Sequence, residues 1–138
     1  MSASSLVFIH GWGTHPVIWE PLLARFPGSR ALPLPGYAGT APAETLEEMA
    51  VRLGEEMGAG TVLVGWSLGG QAAMRIALAY PEKVVRLVLI GATPCFVNRD
   101  DWTHGVADAV FEQFARHLAE DYAVAGREEP GERQCGHH

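Results

Sequence analysis

Lysine is almost absent from this 138-residue sequence: Lys83 is the one lysine, and 10 basic residues stand against 16 acidic ones, for a formal net charge of −6. A nucleic-acid-binding face needs clustered Lys and Arg to neutralise phosphates, so this composition disfavours nucleic acid, and we expect no nucleic-acid partner. Cysteine is also scarce. Cys95 and Cys135 are too few for a disulfide framework and lack C-x-x-C spacing, so we expect two reduced thiols without a special role.

Long apolar runs are missing as well. No run approaches the roughly 18 residues needed to cross a bilayer, although 48% of the residues are hydrophobic, which is too many for a disordered chain. The segment Met1–Ser5 has no basic residue before its short apolar run, so it does not resemble a secretion signal. We therefore expect one soluble globular domain with a cytoplasmic location and no membrane partner.

The pattern of short apolar runs predicts an α/β fold. Four runs bounded by Gly or Pro predict strands, with the second at a sheet edge: Leu6–His10, Arg30–Leu34, Thr61–Val64 and Val84–Ile90. Three stretches with apolar residues every three or four positions predict helices at 45–58, 71–80 and 106–122. Thr45 and Glu48 form a capping box at the start of the first. The order β, β, α, β, α, β points to parallel strands with helices on both faces.

The segment Gly65–Gly70, with the sequence G-W-S-L-G-G, lies between a predicted strand and a predicted helix. It contains the G-x-S-x-G pattern that places a nucleophilic serine on a sharp strand-to-helix turn. Gly65 and Gly69 are small enough for the strand and the helix to approach closely. The helix N-terminus favours negative charge developing near the Ser67 hydroxyl. A chance Gly-rich turn is the alternative, and the strand–turn–helix context favours a nucleophile.

A second glycine-flanked loop, His10-Gly11-Trp12-Gly13, directly follows the first predicted strand. An acyl-transfer site needs two backbone N–H donors for its oxyanion, one from the residue after the nucleophile and one from a loop on a neighbouring strand. We assign these donors to Leu68 and Trp12, and we expect the Trp12 indole to form a wall of the acyl pocket rather than only to pack. For His10, a structural role that braces the loop by hydrogen bonds is favoured over a direct role in the chemistry.

These two loops together resemble the α/β-hydrolase superfamily of esterases, lipases and related acyl hydrolases. Within it, residues 92–102 and 34–39 are similar to the pimeloyl-acyl-carrier-protein methyl ester esterases of biotin synthesis, through the sequences A-T-P-C-F-V-N-R-D-D-W and L-P-G-Y-A-G. The resemblance covers about Leu6 to Tyr122. It implies a partial α/β-hydrolase fold, Ser67 as nucleophile, Trp12 and Leu68 at the oxyanion and substrate site, an ester substrate that is a small molecule or is bound to an acyl carrier protein, and no cofactor.

The resemblance also divides the chain. It implies an α/β-hydrolase core with the nucleophile turn over residues 1–97 and the start of a helical cap over 98–125. From Arg127 onward the sequence has no aliphatic or aromatic residue, so we expect 126–138 to be a disordered tail.

The acid and base of a catalytic triad are not identified in this sequence. In the superfamily they follow the nucleophile on loops after later strands, and no β-rich run follows Ile90. The Asp and His candidates downstream are Asp100, Asp101, Asp108, Asp121, His104, His117, His137 and His138. Helix capping is favoured for Asp100 and Asp101, surface or cap packing is favoured for the first two histidines, and no metal site is predicted. We expect a truncated member whose activity is impaired, and the change after Tyr122 is typical of a frameshift or a truncated reading frame.

Three functions stay open at this point. The first is a serine carboxylesterase. The second is a non-catalytic remnant or partner-binding fragment, in which the predicted strand Val84–Ile90 is an open sheet edge that favours self-association. The third is another ester hydrolase or an acyltransferase of the same fold, which the sequence hardly separates from the first.

Overall fold

The computed structural model describes residues 5–124, and a four-stranded sheet forms its centre. The strands are β1 (Ser5–Ile9), β2 (Arg30–Leu32), β3 (Thr61–Trp66) and β4 (Val84–Ile90). They lie in the order β2-β1-β3-β4, and all three pairings are parallel. The predicted α/β class with a parallel sheet is confirmed, and so is the edge position of the second strand.

Helices connect the strands because parallel neighbours need crossover connections. A short 3₁₀-helix (Pro16–Trp19) leads into α1 (Glu20–Arg25), and α2 (Leu46–Glu55), α3 (Leu68–Ala79) and α4 (Asp108–Val124) follow. The predicted capping box is present at α2. The Thr45 hydroxyl accepts a hydrogen bond from the Glu48 N–H at 3.1 Å, and the Glu48 carboxylate accepts one from the Glu44 N–H at 3.0 Å.

Two apolar clusters pack on opposite faces of the sheet. The larger joins β1 and β3 to α2 and α3 around Ile9, Leu53 and Ile76, each at most 1% exposed. The smaller consists of Phe8, Trp19 and Val64, with α1 side chains packed against it. Helices on both faces therefore confirm the doubly covered architecture, and the carboxyl ends of β1 and β3 emerge between the layers.

The 3₁₀-helix and α1 lie between the first two strands, so the predicted direct succession of two strands is wrong. Prolines are common in loops, yet Pro16 and Pro21 each lie in the first turn of a helix, where a missing N–H breaks no helical hydrogen bond. The last helix begins at Asp108 instead of Val106, because Val106 pairs with Val97 in an isolated bridge. The backbone pairing of Val106 with Val97 takes precedence over the helical periodicity, so the helix starts two residues later.

Three smaller expectations concern the later part of the chain. Asp100 and Asp101 lie in a turn closed by a bridge between Arg99 and Trp102, ahead of α4. They do not cap the helix, so that interpretation is wrong. Cys95 is disulfide-bonded, which contradicts the expected reduced thiol, because cysteine pairing depends on tertiary placement that spacing alone does not show. The predicted tail at 126–138 lies outside the described residues.

Candidate active site

Ser67 occupies a single-residue turn between the end of β3 and the start of α3. Its backbone angles are φ 57° and ψ −119°, a left-handed conformation that non-glycine residues rarely adopt. The Ser67 N–H donates to the Ile90 carbonyl at 3.0 Å, and the Ser67 carbonyl accepts from the Gly70 N–H at 2.9 Å. The conformation is thus held from both sides, by β4 and by the first turn of α3.

Gly65 and Gly69 let α3 begin directly against the sheet. A Cβ atom at Gly69 would collide with the backbone carbonyls of Ile9 and His10, and one at Gly65 would collide with the backbone of Gly69. Backbone atoms at these contacts cannot rotate away as a side chain could. Only glycine at both positions brings the N-terminus of α3 to the carboxyl ends of β1 and β3.

Replacing Ser67 with glycine is expected to raise the free energy of unfolding by about 1 kcal/mol relative to the Ser67→Ala variant. Both changes remove the hydroxyl, but only glycine relieves a left-handed strain of roughly 1–3 kcal/mol, against an entropic cost of roughly 0.5–1 kcal/mol. Urea denaturation of the two variants measures the difference. A glycine variant that is no more stable than the alanine variant would contradict the prediction, because the strain would then not exceed the entropic cost of glycine.

His10 is fully buried at the end of β1 and connects two loops. The Leu34 N–H donates to its Nε2 at 3.0 Å, so Nδ1 carries the proton and donates to the Gly11 carbonyl at 2.9 Å. Burial lowers the pKa of the imidazole from 6.5 to about 4, with the Gly11 hydrogen bond opposing this and the nearby His15 adding to it. His10 is therefore neutral at physiological pH and braces the loop that follows β1.

The loop after β1 passes close over Ser67. A Cβ atom at Gly11 would lie 2.9 Å from the Trp66 ring and 3.2 Å from the Ser67 Cβ. Gly13 has φ 75°, and its N–H donates to the Tyr37 hydroxyl at 3.0 Å. The close contact and this hydrogen bond fix Trp12, which lies between the two glycines, beside the candidate nucleophile.

The backbone N–H groups of Trp12 and Leu68 are both available as donors. Leu68 is the first residue of α3, so its N–H has no acceptor within the helix. Across residues 5–124, the Trp12 N–H donates no hydrogen bond either. Two donors with no acceptor, one on the loop after β1 and one at the start of α3, match the requirement for an oxyanion site.

An apolar cavity of about 270 Å³ opens at Ser67. Apart from Ser67, its lining is Trp12, Leu68, Phe96, Val106, Val110, Phe111 and Phe114. The Trp12 ring stacks on Phe111 at 5.5 Å between centroids and meets Phe114 edge-on at 5.7 Å. Trp12 and Leu68 are the two lining residues that the sequence predicts. Phe96 and the aromatic residues of α4 are not predicted, and the signal for α4 was the apolar row Val106, Val110 and Phe114.

No general base accompanies Ser67 in the described part of the chain. Within it, no histidine or carboxylate forms a hydrogen bond with the Ser67 hydroxyl, and no group of three or more potential ligands could hold a metal ion. His104 packs edge-on against Trp102, and the Asp101 carboxylate lies 3.6 Å from Arg99. His117 is exposed on α4, while His137 and His138 lie outside the described residues.

Comparison with known proteins assigns this arrangement to a family. Residues 6–134 match the model of the Alpha/beta hydrolase family. The chain belongs to that family. It is 39% identical over 123 residues to a pimeloyl-[acyl-carrier protein] methyl ester esterase of Nitrosomonas europaea, covering 85% of this chain and 48% of that protein. An enzyme of the same name from Aromatoleum aromaticum is 40% identical over 136 residues, with coverage of 92% and 54%.

Solved structures show the same α/β-hydrolase fold. A thermophilic esterase superposes with a TM-score of 0.60 at 27% identity, covering 70% of this chain and 40% of that one. A hydrolase from Oleispira antarctica gives a TM-score of 0.69 at 16% identity, with coverage of 90% and 51%, and shows the fold alone. The chain spans about half the length of the curated relatives it matches. Across residues 5–124, no helix is both long enough and apolar enough for a membrane span.

Proposed function

We propose that this chain carries the nucleophile and oxyanion site of a serine carboxylesterase. Ser67 is the nucleophile, the N–H groups of Trp12 and Leu68 hold the oxyanion, and the apolar cavity receives the acyl group. One observation carries the proposal: a serine in a strained strand-to-helix turn opens into an apolar cavity beside two backbone donors without acceptors. Glycines at 11, 13, 65 and 69 and the buried His10 support these loops.

In the proposed reaction the Ser67 hydroxyl oxygen attacks the ester carbonyl carbon, and the carbonyl oxygen becomes an oxyanion held by the two N–H groups. The carbon–alkoxy bond then breaks, the hydroxyl proton passes through a base to the leaving alcohol, and an acyl-Ser67 ester remains. Water attacks this ester and releases the acid. Electrostatic stabilisation of the oxyanion is supported by the described residues, whereas the proton transfers need a base that they do not contribute.

For the substrate we propose a methyl ester of a pimeloyl chain carried by an acyl carrier protein, as in the names of the curated relatives. The cavity favours a substrate with a hydrocarbon acyl chain, because its lining is apolar and contains no charged side chain. We propose further that residues 98–125, with α4 over the cavity, form the start of a helical cap on a core of residues 1–97. The product acid would then serve biotin synthesis.

The requirement for a base is the part of the proposal to test. Without one, a triad enzyme retains only the roughly 10³–10⁴-fold acceleration of oxyanion binding and positioning, and its serine is a weak nucleophile. Imidazole added to the solution supplies a base. We expect it to accelerate hydrolysis of p-nitrophenyl butyrate by the chain beyond its effect on the Ser67→Ala variant, and mass spectrometry to find a butyryl group on the Ser67 peptide.

The Ser67→Ala variant is the matched control, because imidazole alone also hydrolyses activated esters. Turnover that depends on Ser67 without imidazole would support the nucleophile but show that the chain holds a base of its own. The absence of both imidazole rescue and a butyryl group on Ser67 would contradict the proposed function.

A second candidate is a non-catalytic chain that binds a partner or itself through an open sheet edge. It is favoured by the apolar side chains that β4 leaves exposed. The imidazole experiment separates the two candidates, since a non-catalytic chain would show no reactivity that depends on Ser67.

A further inference from the structure

The Gly11 carbonyl, in the loop after β1, is held by three hydrogen bonds. The His10 Nδ1–H donates to it at 2.9 Å, the Thr14 hydroxyl at 2.7 Å and the Thr14 N–H at 3.3 Å. A carbonyl oxygen has two lone pairs, so these donors occupy it fully. The N–H bond already closes the turn from Gly11 to Thr14, so the shorter bond from the hydroxyl acts chiefly on the carbonyl itself.

The neighbouring imidazole fixes the direction of the Thr14 hydroxyl. The His10 Nδ1 lies 3.2 Å from the Thr14 Oγ1. Because Nε2 accepts the Leu34 N–H, Nδ1 carries a proton and is a donor toward Oγ1 as well as toward the Gly11 carbonyl. The hydroxyl proton must then point elsewhere, and the Gly11 carbonyl at 2.7 Å is its acceptor. The imidazole and the hydroxyl thus act together on one carbonyl oxygen.

The Gly11 carbonyl and the Trp12 N–H belong to the same peptide unit. The unit is planar and trans, so its C=O and N–H groups point in opposite directions. Donors that hold the carbonyl on the side of His10 and Thr14 therefore direct the Trp12 N–H to the other side. Gly11 adjoins the nucleophile, since a Cβ atom there would lie 3.2 Å from the Ser67 Cβ. Hydrogen bonds to the oxygen also polarise the unit, which makes its N–H a stronger donor.

We infer that Thr14 is a positioning residue of the oxyanion site, because its hydroxyl orients and polarises the peptide unit that carries the Trp12 N–H. The inference rests on the proposed function, in which this N–H holds the oxyanion. Thr14 is not among the residues that line the cavity at Ser67, so it acts through the peptide unit. Its effect is largest in the transition state, where the substrate oxygen gains negative charge, and small in the bound ester.

The alternative is that the Thr14 hydroxyl only stabilises the loop, and three variants separate the two roles. Thr14→Val keeps the branched shape of the side chain but removes the hydroxyl, and Thr14→Ser keeps the hydroxyl. Thr61→Val is the matched control. The Thr61 hydroxyl donates to the Gly58 carbonyl at 2.7 Å, again three residues back along the chain, but it lies at the amino end of β3, whereas Ser67 follows the carboxyl end.

Acylation of Ser67 by p-nitrophenyl butyrate, with imidazole supplied as the base, tests the inference in a single turnover over a range of ester concentrations. We expect Thr14→Val to lower the maximal acylation rate about tenfold, because a hydrogen bond of ordinary strength is lost from the transition state. The half-saturating ester concentration should not change. Thr14→Ser and Thr61→Val should both react at close to the wild-type rate.

An unchanged maximal rate in Thr14→Val would overturn the inference. An equal fall in Thr14→Ser or in Thr61→Val would also overturn it, because the loss would then come from packing or from general stability. So would a higher half-saturating concentration at an unchanged maximal rate. If the wild type is not acylated at Ser67, the proposed function fails and this inference fails with it, whereas a reactive wild type with an equally reactive Thr14→Val variant overturns this inference alone.

Nuclear magnetic resonance of the Trp12 amide provides a second readout that needs no substrate. A hydrogen bond to the preceding carbonyl deshields an amide nitrogen, so Thr14→Val should move the Trp12 nitrogen resonance upfield. Thr61→Val should leave it in place. A Trp12 resonance that Thr14→Val does not move would also overturn the inference.

Discussion

Replacing Gly69 with alanine is expected to lower the free energy of unfolding by about 3 kcal/mol, the upper part of the usual range for overpacking. The added methyl group would press on the carbonyl oxygens of Ile9 and His10, which belong to the end of β1 and cannot rotate away. Relief requires α3 to shift off the sheet, which also displaces Ser67. Urea denaturation followed by far-UV circular dichroism measures the loss.

Gly58 provides the matched control for this substitution. A Cβ atom at Gly58 would meet nothing within 4 Å, so Gly58→Ala should leave stability unchanged or raise it slightly by restricting the unfolded chain. Similar stabilities of the two variants would mean that close packing at Gly69 is unimportant.

Acid is expected to remove about 3 kcal/mol of stability through His10 alone. The pKa of the imidazole is 6.5 in the unfolded chain and about 4 in the folded one, because burial disfavours the charged form. Between these values the unfolded chain binds the extra proton, so stability falls as the pH falls. The contribution is complete above pH 6.5, declines as the pH drops toward 4, and is constant below that.

Urea denaturation between pH 7 and pH 4 isolates this contribution when the wild type is compared with His10→Gln. Glutamine can still accept the Leu34 N–H but does not titrate, so the variant should be less stable at pH 7 and lose less stability on acidification. His104→Gln makes the same replacement at an exposed histidine and is the matched control. Identical pH dependence in wild type and His10→Gln would contradict the prediction, and an NMR titration of the His10 ring offers a direct check.

The elements with strong local signals could be predicted from the sequence. The buried strands read as continuous apolar runs, and the Thr45 cap located the start of α2 to the residue. The first crossover could not be found, because Pro16 and Pro21 lie in helices of four and six residues, which are too short to show a period. Parallel pairing of β1 with β2 demanded a connection there, and that constraint is visible only once the sheet order is known.

The candidate site, like the fold, could be predicted from the sequence only in part. The turn at Ser67 has a local cause, glycine spacing between a strand and a helix, and could therefore be placed from five residues. The cavity depends on contacts between segments distant in the chain, such as the stacking of Trp12 on Phe111. An amphipathic pattern showed that α4 has an apolar face, but nothing in the sequence showed which surface that face covers.

The strand order also governs how this chain can fold. Strand β1 precedes the other described strands along the chain, yet it lies inside the sheet, where Val7 pairs on one side with Arg30 and on the other with Leu63. Contacts so distant along the chain carry a large loop-closure cost before they yield any stabilisation, which raises the contact order and slows folding. During translation, the apolar Leu6–Ile9 segment must wait for β3 to emerge from the ribosome, and that interval is when association with other chains or a chaperone competes with folding.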